Sequence, residues 1–176
     1  MTLLAKITRR FSRLVLKVTG WKLIGENFVL QKSVVVAFPH SGASDLYYTL
    51  LAAYALGLQT KIVVKEELFV FGIRWLLKHL GCIPVKRNSR TNTTAFLTEM
   101  FDEKNTDLHL IIAATGTRNK EAPWKTGFLS VARMAKVPIL LATINRDKKV
   151  CGIFSVYFPT KNSARDLTII KTRYGL

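Results

Sequence analysis

A chain of 176 residues with 49% apolar side chains is one domain's worth of material, able to bury roughly two-thirds of its unfolded surface. That excludes a disordered chain and removes the need for disulfides, so the two cysteines, Cys82 and Cys151, read as reduced thiols. The formal charge of +16, from 27 Lys and Arg against 11 Asp and Glu, predicts anionic partners: nucleic acid, an acidic protein or a membrane rich in acidic lipid.

The charge lies mostly at the two ends. Lys6, Arg9, Arg10, Arg13, Lys17 and Lys22 precede the first acidic residue, Glu26, and beyond Ala122 ten basic residues face only Asp147 and Asp166. At about 100° per residue, Leu3, Leu4, Ile7, Phe11, Leu14, Val15 and Val18 fall within an arc of about 120°, opposite Lys6, Arg9, Arg10, Arg13 and Lys17. This predicts a basic amphipathic helix over residues 1–19. It could sink an apolar stripe into the acyl boundary of a membrane, cover the core as an ordinary surface helix, or serve as a transit peptide. The longest uncharged run, Leu46 to Thr60, contains Gly57 and falls short of the roughly 20 apolar residues a spanning helix needs. Lys17 interrupts the apolar segment that a secretory signal would require.

From Gly20 onward the pattern becomes α/β. Short apolar or β-branched runs at Val34–Phe38, Lys61–Val64, Ile83–Val85, Leu108–Ala113, Ile139–Ile144 and Ile153–Phe158 alternate with helical stretches at Asp45–Ala55, Phe71–His79, Thr94–Glu103 and Thr126–Lys136. Alternation of this kind predicts a mainly parallel central sheet flanked by helices. Leu167–Ile170 reads as a further edge strand. With no repeat, low-complexity tract or linker, residues 1–176 read as a single domain.

In an open α/β sheet, ligands bind beyond the carboxyl ends of the strands. Three predicted ends stand out: Pro39-His40-Ser41-Gly42-Ala43-Ser44-Asp45, Lys86-Arg87, and Thr115-Gly116-Thr117-Arg118-Asn119. Gly42 permits a turn that brings the Asp45 carboxylate back to the His40 imidazole. A carboxylate accepting one ring N–H raises the basicity of the other nitrogen, which then takes a proton from a hydroxyl. Arg87 and Arg118 offer guanidinium forks that match phosphate, assisted by loop N–H groups around Gly116 and Thr117. Each feature alone reads more readily as a strand-end cap or a solvated charge. Together they point to a substrate that carries both a hydroxyl and a phosphate.

These residues resemble the 1-acylglycerol-3-phosphate (lysophosphatidic acid) acyltransferases of the glycerolipid acyltransferase superfamily. Four blocks match in order between about Val34 and Ile144: His40 to Asp45 as H-x4-D, Gly81-Cys82-Ile83-Pro84-Val85-Lys86-Arg87, Thr115-Gly116-Thr117-Arg118-Asn119 as E-G-T-R-S, and Val137-Pro138-Ile139. Lys65 and Leu68 also sit where the family has a lysine and a leucine. Thr115 stands in place of the family's Glu, and Asn119 in place of its Ser. The resemblance implies transfer of a fatty acyl group from acyl-CoA or acyl carrier protein to a lysophospholipid hydroxyl. His40 is then the general base, Asp45 its orienting partner, Arg87 and Arg118 with Gly116 and Thr117 the phosphate site, and Lys65 and Thr115 part of the substrate pocket. It also implies peripheral attachment to the cytoplasmic face of an acidic membrane, with no cofactor. Two other readings stand beside it: a non-catalytic lipid-binding relative, and a basic nucleic-acid-binding domain, which no recognisable motif supports.

The remaining polar residues read as structural. His79 and His109 lie in apolar surroundings and have no Cys or carboxylate at metal-ligand spacing, so no metal is expected. Cys82 reads as a small buried hydrophobe, and Trp21, Trp75 and Trp124 as core or interface anchors.

Overall fold

The computed structural model describes residues 3–25, 30–39, 44–85, 90–103, 106–117, 119 and 121–176. In chain order the elements are α1 (Leu3–Val18), β1 (Lys22–Ile24), β2 (Lys32–Ala37), α2 (Asp45–Leu56), β3 (Thr60–Lys65), a 3-10 turn at Glu66–Leu68, α3 (Arg74–His79) and β4 (Cys82–Val85). There follow α4 (Arg90–Glu99), β5 (Leu108–Ala113), α5 (Gly127–Met134), β6 (Ile139–Asn145), β7 (Val150–Tyr157) and α6 (Ser163–Arg173). The seven strands form one sheet in the order β1-β7-β6-β2-β5-β3-β4. All neighbours are parallel except β6 and β7, which are antiparallel. The expected mainly parallel sheet flanked by helices is therefore present.

Side chains alternate across the central strands, which is why both faces of the sheet are apolar. Val34 and Val36 of β2, Leu110 of β5 and Leu141 of β6 join a core with Leu97 of α4, Phe128 and Val131 of α5, and Ile170 of α6. Their neighbours Val35, Ile111 and Leu140 join Leu50 of α2 and Leu77 of α3 on the other face. Helices α4, α5 and α6 thus cover one face, and α1, α2 and α3 the other. The second face has an extra layer: Leu16 of α1 packs with Leu51, Ala52 and Ala55 of α2. Sandwiched between α1 and the sheet, α2 is apolar on all sides, which accounts for the uncharged run noted above.

Helix α1 departs from the simple two-faced picture. It docks on α2 through a third sector, of small or half-buried residues that includes the fully buried Ser12 and Leu16. Arg9 and Arg13 turn inward, each Nε donating to the Ala55 carbonyl at 3.2 and 3.0 Å. There they supply positive charge at the carboxyl end of α2. Trp21, just after α1, stacks on Tyr48 of α2 with ring centroids 4.0 Å apart. Leu3, Leu4, Ile7, Phe11, Leu14 and Val18 are left exposed, and only Val15 of the stripe joins the core. The helix is bound to the fold, yet its apolar stripe faces away from it.

Two further readings are corrected by the structure. The segment Leu167–Ile170 is helical and belongs to α6, because Asn162 caps the helix by accepting from the Arg165 N–H at 3.0 Å. Asp166 in the same first turn is fully buried and accepts from the Tyr157 hydroxyl, the Thr160 N–H and the Thr160 hydroxyl at 2.7, 2.8 and 2.7 Å. Burial alone would raise its carboxyl, but the Thr160 and Tyr157 hydrogen bonds hold it below the usual carboxylate range. The other correction concerns His79, which is exposed and lies against Trp75 with ring centroids 4.2 Å apart, rather than in apolar surroundings.

Candidate functional site

The carboxyl ends of β2, β3, β4, β5 and β6 lie along one rim, as the parallel pairing requires. Strand β2 sits between β6 and β5, so its carboxyl end is flanked by the carboxyl ends of both neighbours, and α2 begins eight residues further on. Its first helical residue is Asp45, 2% exposed. An ionised carboxylate taken this far from water needs a partner. One is Arg146, in the turn that follows β6: its Nε lies 3.0 Å and its Nη2 2.8 Å from the same Asp45 oxygen, Oδ1. The same Nη2 donates to the Ser44 hydroxyl. Arg146 was missing from the residues singled out in the sequence, where it is one of ten cations in a basic tail.

The loop after β5 is built on its own backbone. Gly116 has φ +64°, the left-handed region that favours glycine, and its N–H bonds to the Ala113 carbonyl at 3.1 Å. Thr115 is buried, and its hydroxyl donates to the Thr117 carbonyl at 2.7 Å. The Thr117 hydroxyl accepts from the Asn119 N–H at 3.1 Å, and Asn119 Oδ1 from the Glu121 N–H at 2.9 Å. The Thr115 side chain is thus turned back on the loop it belongs to. Lys65, at the carboxyl end of β3, is exposed on the same rim.

His40, Arg87 and Arg118 lie outside the described residues, and the roles read for them in the sequence stand as expectations. The topology still orders the segments that carry them. The Gly116 loop leaves β5, the immediate neighbour of β2. Strand β4, which ends two residues before Arg87 in the sequence, lies three strand spacings, or about 14 Å, from β2. Among the described residues no group of three His, Cys, Asp or Glu is placed to hold a metal.

Two hollows are present among the described residues, one of them away from the rim. One, of about 260 Å³ and lined by Tyr54, Lys61, His79 and Asp107 among others, opens at the amino ends of β3 and β5, the far end of the strands from Asp45. The other is an apolar recess of about 30 Å³ between α2 and the sheet, lined by Ala37, Thr49, Ala52, Ala142 and neighbours. It has room for a water or two and none for a fatty acyl chain.

A family model described as Acyltransferase matches residues 20–145, from just after α1 to the end of β6. Comparison with curated proteins found no match, and comparison with solved structures found none either.

Proposed function

Because this chain belongs to the Acyltransferase family, we propose that it moves a fatty acyl group from a thioester, acyl-CoA or acyl carrier protein, to the hydroxyl of a lysophospholipid, first of all 1-acylglycerol-3-phosphate. Family membership supports acyl transfer in general. The observation that supports this chemistry at the rim is the buried Asp45 carboxylate, held by Arg146 at the carboxyl end of β2 and five residues beyond His40. In this reading Asp45 orients the His40 imidazole, and the free ring nitrogen takes the proton of the acceptor hydroxyl. The hydroxyl oxygen bonds to the thioester carbon, and loop N–H groups stabilise the resulting oxyanion. The oxyanion collapses, the C–S bond breaks, and the leaving sulfur takes up the proton from the imidazolium. Arg118 and Arg87 bind the acceptor's phosphate, with Gly116 and Thr117 shaping the loop beside β2.

We assign α1 to the membrane surface. What supports this is the exposed stripe Leu3, Leu4, Ile7, Phe11, Leu14 and Val18, with the exposed cations Lys6, Arg10 and Lys17 beside it. No helix among the described residues is long and apolar enough to cross a membrane. The proposed attachment is peripheral, on the cytoplasmic face.

The test is thioester consumption by the purified protein with and without lysophosphatidic acid. His40→Ala should reduce the rate about 100-fold to 10,000-fold, with circular dichroism unchanged, and Asp45→Asn nearly as far. Transfer at the parental rate by folded His40→Ala would overturn the base assignment. Binding to lipid vesicles with no thioester consumption by the parent would point to a lipid-binding relative instead.

A further inference from the structure

A second apolar surface lies on the same side of the sheet as α1. Between the carboxyl end of β3 and the middle of α3, Leu68, Val70, Phe71, Ile73, Trp75 and Leu76 are all exposed, Phe71 completely and Trp75 by 67%. The segment is not loose chain. Phe69 packs into the core on that face, and Leu77 is buried in it. Backbone bonds from Phe69 N–H to the Glu66 carbonyl and from Arg74 N–H to the Val70 carbonyl, at 2.8 and 3.0 Å, hold the turns between them. Two inward anchors therefore fix six outward apolar side chains on one short stretch.

A contiguous exposed patch of this kind marks an interaction surface. We propose that it inserts into an acidic lipid bilayer, as a second contact beside α1. The inference rests on the membrane reading of α1 and extends it to a separate part of the chain.

Three observations favour lipid over a protein partner. First, the patch and the α1 stripe lie on the same side of the sheet, with α1 one layer further out on α2. Second, charge is arranged for a bilayer. The segment's own Lys65, Arg74 and Lys78 are nearly offset by Glu66 and Glu67, so its contact is apolar, while Lys6, Arg10 and Lys17 on α1 and the net +16 attract the acidic headgroups. Third, Trp75 with the His79 ring against it places an amphipathic aromatic at the edge of the patch, the residue type enriched where membrane meets water. The patch begins where β3 ends, at the rim that carries Asp45. Insertion would bring that rim to the lipid, and the recess behind α2 is too small to draw an acyl chain into the protein.

The probe is a vesicle of phosphatidylglycerol and phosphatidylcholine, with the phosphatidylcholine either plain or brominated on its acyl chains. Trp21 and Trp124 are each 8% exposed, so quenching of tryptophan emission by brominated chains reports on Trp75. We expect quenching in the vesicle-bound parent and its loss in Trp75→Phe, which still floats with the vesicles. The double change Phe71→Ser and Ile73→Ser should weaken vesicle binding at least about tenfold, with an unaltered thermal melt because both side chains already face water. It should leave the salt dependence of binding as it was. Vesicle-bound protein whose emission brominated chains do not quench would overturn the inference, as would parental affinity in the double variant. A dimer in sedimentation that the double variant dissolves would assign the patch to a second copy instead. Failure of the parent to bind vesicles removes both membrane contacts, while thioester consumption with detergent-dispersed lysolipid still reports on the transfer chemistry.

Discussion

Asp45 and Arg146 stand 101 positions apart and meet at a single carboxylate oxygen. This makes Arg146 a positioning residue in the proposed reaction: it fixes the carboxylate that fixes the imidazole. Arg146→Ala should lower kcat about tenfold to a hundredfold, the weight of a charge-assisted hydrogen bond, and leave the acceptor KM nearly unchanged. Arg146→Lys should restore part of the rate, since it keeps the charge and loses the fork. A purely structural role would lower the melting temperature of Arg146→Ala without moving kcat. Asp45 was legible in the sequence because a histidine and an aspartate five apart follow a β-branched run and precede a helix. Its partner was not, because a long-range ion pair leaves no mark in spacing, and Arg146 sits in a basic tail with nothing local to set it apart. Thr115 was legible as a departure from the family pattern. Its burial against Thr117 became visible only in three dimensions.

At the scale of elements, α1 carries the strongest prediction. Removing the whole helix would uncover Leu51, Ala52 and Ala55 of α2, so truncation would confuse anchoring with unfolding. Phe11→Ser with Leu14→Ser changes only the exposed stripe. It should cut binding to acidic vesicles at least about tenfold with the melt unaltered and the salt dependence kept, because the cations that set that dependence are untouched. Parental binding by this variant would return α1 to the role of a covering helix. The periodicity of α1 was plain in the sequence, but its docking sector was hidden: Ser12 is polar and small, and nothing local says that it faces Ala-rich α2. The central strands were legible from their unbroken apolar runs, and β5 lies where it was expected. Strand β1 has three residues, too few for any period. The run Leu167–Ile170 fits a strand or a buried helix equally by pattern, and the cap at Asn162 together with the Asp166 network selects the helix.

Across the whole molecule, acidity should unfold the chain in a defined order. His109 of β5 is buried, with the Ser33 hydroxyl of β2 2.8 Å from its Nδ1. Burial lowers its basicity, against smaller raising effects of Asp107 and the Leu30 backbone. A histidine easier to protonate when unfolded contributes stability above its ordinary value near 6.5, and that contribution is lost as pH falls below it. Asp166, also held low, contributes above the carboxylate range and fails only at stronger acid. The melting temperature should therefore hold steady near neutrality, decline first below about pH 6.5, and decline again below about pH 4. His109→Gln should remove the first decline and keep the second. A melt that His109→Gln leaves unchanged at every pH would show that the buried ring does not govern it. The fold class was legible because alternation of short apolar runs with helical stretches admits few sheet architectures. Strand order, and with it the separation of β4 from β2, was not, since crossovers leave no local pattern. The strapping of α1 to α2, by two arginines on one carbonyl at one end and by Trp21 on Tyr48 at the other, has a consequence for height. Two packed helices keep their axes about 8–10 Å apart, whereas the headgroup layer of a bilayer is roughly 5–8 Å deep. In the proposed membrane-bound state, with α1 lying in that layer, α2 would act as a rigid stand-off that holds Asp45 just above the phosphates at a constant altitude, and the hydroxyl of the proposed lysolipid acceptor would have only a few ångströms to climb.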